Sequence, residues 1–290
     1  MSRRKKVPGI KLDPDDWMVR PFLKFAGAMR SYHDHEVLHL ERLRKLIRER
    51  RRVVLVGNHA LDMLDPLLFV SVLLEKCGCV PCFVGHENLV FGLPGLREVA
   101  LRHGMIPSRH MAETAAALQR DGMLMLYPGS GSEAARRIYS DEPYRLKWKG
   151  RSGFLRLALE HDAELLFVAA VGIDEMYFQS RLEIPSTVLR WLSSERYRGS
   201  RLQFGPFGPH LLPAMFPFPV KITHVISPPI DLGDRQAALH DRRAMARLHR
   251  RVEKDCQDFL DRAVAARDES APLVDRAVRA GQQLLRGIGA

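Results

Sequence analysis

The stretch Val53-Val54-Leu55-Val56-Gly57-Asn58-His59-Ala60-Leu61-Asp62-Met63-Leu64-Asp65-Pro66 decides the fold. Four apolar residues ending at a glycine read as a strand covered on both faces, the pattern of a buried parallel strand. A histidine and two aspartates stand just past its carboxyl end, and Pro66 suits the first turn of the helix that follows. Open α/β sheets present their ligands at that edge. Working outward, the alternation continues through helix 66–76, strand 80–84, helix 94–103 and a short extended piece 105–107. Helix 110–120, strand 123–127, helix 151–161 and strand 165–171 come next, and strand 220–227 rejoins the sheet. This order predicts an α/β fold, a mostly parallel sheet flanked by helices on both faces.

The flanks have a different character. Residues 1–16 read as a mobile basic arm, with a helix start at Asp13-Pro14-Asp15-Asp16. Trp17, Phe22, Phe25, Ala26 and Met29 then recur at helical spacing with Arg20, Lys24 and Arg30 opposite. Such a helix fits a bilayer surface or the protein's own core. Residues 203–219 carry five prolines among four phenylalanines and read as an apolar loop. Everything from Asp234 reads as a charged helical tail. The expected organisation is an arm and amphipathic helix over 1–31, a catalytic domain over 32–232 and a tail over 233–290.

Composition excludes several classes. The 290 residues are 46% hydrophobic and 27% charged, which rules out collagen, bulk disorder and a small disulfide scaffold. No apolar run reaches the ~18 residues of a spanning helix, and the basic N-terminus lacks the apolar core of a signal peptide. Four cysteines, three of them crowded at 77, 79 and 82, point to a reducing compartment, hence a cytoplasmic location. Cys77, Cys79 and Cys82 with His86 lack the second Cys pair of a structural zinc site and read as buried or loop thiols. No metal or cofactor is expected. A net charge of +11 calls for an acidic partner: nucleic acid, an anionic membrane or a phosphorylated ligand. The basic residues are scattered or fall in 3–6 and 42–52, with no nucleic-acid module. An anionic membrane surface, gripped peripherally, accounts for the same charge.

Two loops carry the chemistry. A histidine oriented by a carboxylate is the minimal general base for taking a proton from an alcohol, which nominates His59 with Asp65, or with Asp62 as substitute. The plain alternative is a loop histidine capping the next helix. Strand 123–127 ends in Tyr127-Pro128-Gly129-Ser130-Gly131-Ser132-Glu133, where small residues let backbone N–H groups approach an oxyanion. This is neither a Walker A loop nor a nucleophile elbow; taken alone it also reads as a simple turn.

Together these blocks resemble the glycerolipid acyltransferase superfamily (lysophosphatidate-acyltransferase-like), in its diacylglycerol-acyltransferase-like branch. Asn58-His59 with Asp65 matches the branch's His-x5-Asp spacing. Pro128, Gly129 and Glu133 match its Pro-Gly-Gly-x-x-Glu block, with Ser130 in place of the second glycine. Tyr139–Tyr144 and Lys149–Phe154 resemble the following segment, and Gly104–Arg109 loosely matches the family's arginine block. The chain departs from the family at Val168-Ala169, where a proline is usual. The resemblance covers about residues 32–232. It implies an O-acyltransferase of glycerolipid or phospholipid biosynthesis: His59, oriented by Asp65, deprotonates a glycerolipid hydroxyl that attacks an acyl thioester, with no acyl-enzyme. Gly129, Ser130, Gly131 and Glu133 are then oxyanion- or acceptor-binding. Arg109 and Arg151, with Arg136 and Arg137 behind them, are phosphate-binding. The donor is acyl-CoA or an acyl carrier protein. Leu67–Leu74 and Phe91–Leu96 either help line an acyl channel or pack the core. A non-catalytic lipid-binding module or an acyl-thioesterase on the same fold is the alternative.

Overall fold

A computed structural model describes residues 7–59, 64–85, 100–101, 103–107, 110–130, 133, 143–183, 201–206, 208–209, 216–269, 273, 275–278 and 280–281. The elements are helix α1 (Val19–Tyr32), strand β1 (Glu36–Leu38), α2 (Leu40–Arg48), β2 (Arg52–Gly57), α3 (Leu64–Cys77), β3 (Cys82–Gly85) and β4 (Met105–Pro107). They continue as α4 (Met111–Asp121), β5 (Met123–Leu126), α5 (Gly153–Glu160), β6 (Ala163–Val171) and a 3-10 turn (Ile173–Glu175). The last are β7 (Phe178–Glu183), β8 (Arg201–Gly205), β9 (Gly208–Pro209), β10 (Thr223–Ile226), α6 (Arg235–His240) and α7 (Arg242–Glu269). The predicted helix over 94–103 lies almost wholly outside the described residues.

Seven strands form one sheet in the order β1-β10-β6-β2-β5-β3-β4. The five from β6 to β4 run parallel, and β10 pairs antiparallel with β6, so the mostly parallel expectation holds. β2 occupies the centre because both its faces are apolar. Val53 and Leu55 pack with Leu43, Phe69 and Leu73 from α2 and α3, while Val54 and Val56 join the core under α5 and α7. Each fully buried Val or Leu adds ~1.5–3 kcal/mol, so this strand alone anchors the sheet.

Four expectations are corrected. Residues 7–12 are no mobile arm: Ile10 and Val80 exchange backbone hydrogen bonds of 2.7 and 2.9 Å, and Gly9 N–H donates to Asp121 O. The first helix begins at Val19, because Asp13 and Asp16 accept the N–H of Asp15 and Met18 in side-chain turns that compete with a helix start. Proline-rich 203–219 is not all loop, since β8 pairs with β7 and β9 with β8 in a small antiparallel sheet. Pro209 is tolerated there because β9 pairs on one side only. The charged region after 233, read as a tail, is part of the core: Met245, Leu248, Val252, Cys256 and Leu260 of α7 are buried against the sheet.

Candidate active site

β2 and β5 are neighbours in parallel register, with Val56 opposite Leu126, so the loops that leave them arrive side by side. Asn58 fixes the first exit. Its amide continues the ladder that the backbone abandons, donating to Ala170 O at 2.9 Å and accepting Ala170 N–H at 2.8 Å on β6. A side chain that mimics a peptide unit lets β2 end while the next residue, His59, turns toward β5.

The His59 ring stacks on the Tyr127 ring, with centroids 4.6 Å apart and planes 24° apart. Gly57 makes the stack possible, because a Cβ there would stand 2.9 Å from Tyr127 Cε1. Phe83 of β3 flanks the phenol at 6.2 Å. Asp65 is wholly buried in the first turn of α3, where the helix dipole favours a negative charge. Burial first, and the Asp65 charge second, push the Tyr127 phenol well above its ordinary pKa. His59 and Asp65 thus converge on one phenol.

Glu133 ties the second loop to the first. Its carboxylate is fully buried and accepts the His59 N–H through Oε1 and the Lys147 N–H through Oε2, both at 2.9 Å. Gly129 is required beneath it: a Cβ would overlap Glu133 Oε2 and Cβ and lie 2.5 Å from Cδ. Ser130 holds φ +51°, a left-handed conformation that glycine adopts at least cost. The Arg151 Nη1 donates to the carbonyls of Pro128 and Gly129 at 3.3 and 3.2 Å, so this arginine braces the loop. Asp62, Arg109, Gly131, Arg136, Arg137, His86 and the Phe91–Leu96 segment lie outside the described residues.

Sequence reasoning missed two contributors. In the sequence Tyr127 marks only a strand end, and no spacing rule reveals a stack that depends on a glycine in the adjacent strand. The other is α7. Its Gln257 accepts Leu146 N–H at 2.9 Å and donates to Tyr144 O at 3.1 Å, and Glu253 accepts Trp148 N–H at 3.0 Å. Segment 144–148 is therefore stitched to α7 and presents Lys147 N–H to Glu133.

At the opposite edge of the sheet, Arg51, Arg52 and Arg120 line a cleft of about 100 Å³ with Asp121 and Asp162. Arg51 is paired with Glu164 and Arg120 with Asp121, each at 2.6 Å, while with Arg50 and Arg52 the lining keeps an excess of positive charge. Among the described residues no group of three or more His, Cys, Asp or Glu could hold a metal ion. All four cysteines are free thiols; burial pushes Cys77 up to about 11 and Cys82 up to about 12.

Residues 36–171, the span from β1 through β6 that includes both loops, match the Acyltransferase family. That match, just under half of the chain, supports a likeness to the glycerolipid acyltransferase superfamily. Two curated relatives align with part of this chain. A protein of Gallus gallus described as a DGAT1/2-independent enzyme synthesizing storage lipids is 28% identical over 134 residues, 46% of this chain and 37% of that protein. Its namesake from Bos taurus is 26% identical over 209 residues, 70% of this chain and 54% of that protein. The chain spans about half the length, or less, of the curated relatives it matches. Both loops sit inside the matched span, whereas the bracing helix α7 lies beyond it.

Proposed function

We propose that this acyltransferase moves a fatty acyl group from an acyl thioester to the hydroxyl of a glycerolipid acceptor, with His59 as general base and Asp65 as its orienting carboxylate. The observation that carries the reading is the convergence of His59, Asp65 and the Gly129–Glu133 loop at the carboxyl edge of β2 and β5. His59 takes the hydroxyl proton as the acceptor oxygen attacks the thioester carbonyl. The tetrahedral oxyanion is met by backbone N–H groups of the Gly129 loop. Collapse expels the thiolate, which recovers the proton from the imidazolium. Asp65 keeps that imidazolium oriented and stabilised, as a buried carboxylate does in other His-based acyl transfers. Glu133 acts on geometry, holding the His59 amide and with it the entry angle of the ring.

The acceptor is placed at a membrane. Trp17, just ahead of α1, is 74% exposed, and Phe25 on α1 is 53% exposed beside the exposed Arg20 and Lys24. Aromatic and basic side chains on one exposed face suit an anionic interface, where each Lys or Arg adds about 1 kcal/mol. Among the described residues no helix is long and apolar enough to cross a membrane, which leaves this face as the means of attachment proposed. Likeness to storage-lipid-synthesising relatives supports a neutral glycerolipid acceptor. The test is consumption of radiolabelled acyl-CoA, with and without a monoacylglycerol or diacylglycerol, in vesicles. Label appearing in lipid only when the alcohol is supplied supports the reading; release as free fatty acid regardless of alcohol makes the protein a thioesterase and overturns it.

A further inference from the structure

Tyr127 is unexplained by the reaction as described. Its hydroxyl oxygen is buried and has no hydrogen-bond partner among the described residues, a cost that a phenylalanine would avoid. Its ring, by contrast, is held on all sides: Gly57 below, Phe83 beside it and the His59 imidazole stacked above. We propose that Tyr127 is a positioning residue whose ring face stabilises the His59 imidazolium formed during proton transfer. The inference rests on His59 being the general base.

The physics is that of a cation over a π face. A neutral imidazole gains little from an aromatic face beyond dispersion, but an imidazolium 4.6 Å away is attracted by the ring quadrupole. The interaction therefore grows as the proton arrives, so it lowers the barrier instead of tightening substrate binding. Among the described residues, the charged and titratable groups around the pair include Asp65 of α3, Glu133 at the His59 amide, and the phenol itself. Asp65 and Tyr127 act in the same direction, both favouring the protonated ring. The ring plane also sets where the imidazole nitrogens point, so one side chain fixes orientation and charge together.

The experiment compares Tyr127→Leu with Tyr127→Phe, reading kcat, KM, the pH–rate profile and the His59 titration by NMR. A cation–π attraction of this class corresponds to roughly 2–30-fold in rate. Tyr127→Leu is expected to lower kcat about tenfold with KM unchanged. The acid limb of the profile and the His59 titration both move to lower pH by up to about one unit, since the protonated ring loses its support. Tyr127→Phe keeps the π face, so rate, limb and titration stay at wild-type values and the unfolding midpoint does not fall. Equal losses in Leu and Phe variants would assign the effect to the hydroxyl and overturn the inference. A Leu variant with unshifted limb and titration would reduce Tyr127 to packing and overturn it as well. Failure of the parent reading looks different: full activity in His59→Ala, whatever Tyr127 variants do.

Discussion

Replacing Gly129 with alanine strikes the junction between the two loops with a single methyl group. The new Cβ would overlap Glu133 Oε2 and Cβ and stand 2.5 Å from its Cδ, where carbon contacts settle near 3.5 Å, so the side chain must withdraw by about 1 Å. Both hydrogen bonds it accepts, from His59 N–H and Lys147 N–H at 2.9 Å, then pass beyond bonding distance. Each is charge-assisted and worth ~1.5–3 kcal/mol, and the carboxylate is left buried. Allowing for partial resolvation at the loop, the expected destabilisation is about 3 kcal/mol, a fall in Tm of roughly 6–12 °C. Such a loss is survivable for a domain stable by ~5–15 kcal/mol, so the variant folds at low temperature. Acyl transfer measured there should drop at least tenfold, because the His59 amide is no longer held. Gly27→Ala is the control: nothing lies within 4 Å of its Cβ position, and alanine suits the interior of α1. The reasoning is refuted if Gly129→Ala keeps both the Tm and the transfer rate of the parent chain.

Further outcomes follow from other parts of the structure. His35 and His224 share a part-buried ring-to-ring hydrogen bond of 2.8 Å, and burial with Arg30 and His33 nearby presses His35 down to about 3. A histidine neutral when folded but protonated when unfolded contributes stability that is complete above pH 6.5. That stability erodes as pH falls toward the folded value, so urea titrations should show a loss of about 1.4 kcal/mol per such histidine between neutral pH and pH 5.5, diminished in His35→Gln. Gln257→Ala leaves the Leu146 N–H without its acceptor; unfolding free energy should fall by about 1–3 kcal/mol, and transfer should slow because segment 144–148 also positions Glu133. Trp17→Ala with Phe25→Ala should weaken sedimentation with anionic vesicles while leaving the Tm unchanged, and wild-type binding should decline with salt; equal, salt-insensitive partitioning to neutral vesicles would count against Trp17 and the exposed face of α1 as the membrane contact.

The parallel strands were legible because Val53–Val56, Met123–Leu126 and Leu165–Val171 are short apolar runs bounded by polar turns, a pattern few other elements share. The meeting of the two loops was legible for the same reason, since ligands gather at the carboxyl edge of such strands. The reversed direction of β10 was not, because a buried strand reads alike in either orientation. β1 is three residues long, too short for any periodicity to register. The burial of α7 was obscured by its charge, although Met245, Leu248, Val252, Cys256 and Leu260 fall at steps of three and four, the stripe that marks a packed helix. At the site, His59, Asp65 and Glu133 were named from spacing and resemblance. What Glu133 touches was hidden, because its partners are backbone amides that carry no side-chain signature. Charge alone makes Arg151 a phosphate-ligand candidate, whereas the loop carbonyls it bonds become visible only in three dimensions.

The most direct measurement is single-turnover acyl transfer to a glycerolipid alcohol by His59→Ala beside the parent protein, with circular dichroism and Tm recorded on both. The account predicts a rate lower by ~10²–10⁴-fold on an unchanged fold. A variant that transfers the acyl group at the parental rate would contradict it.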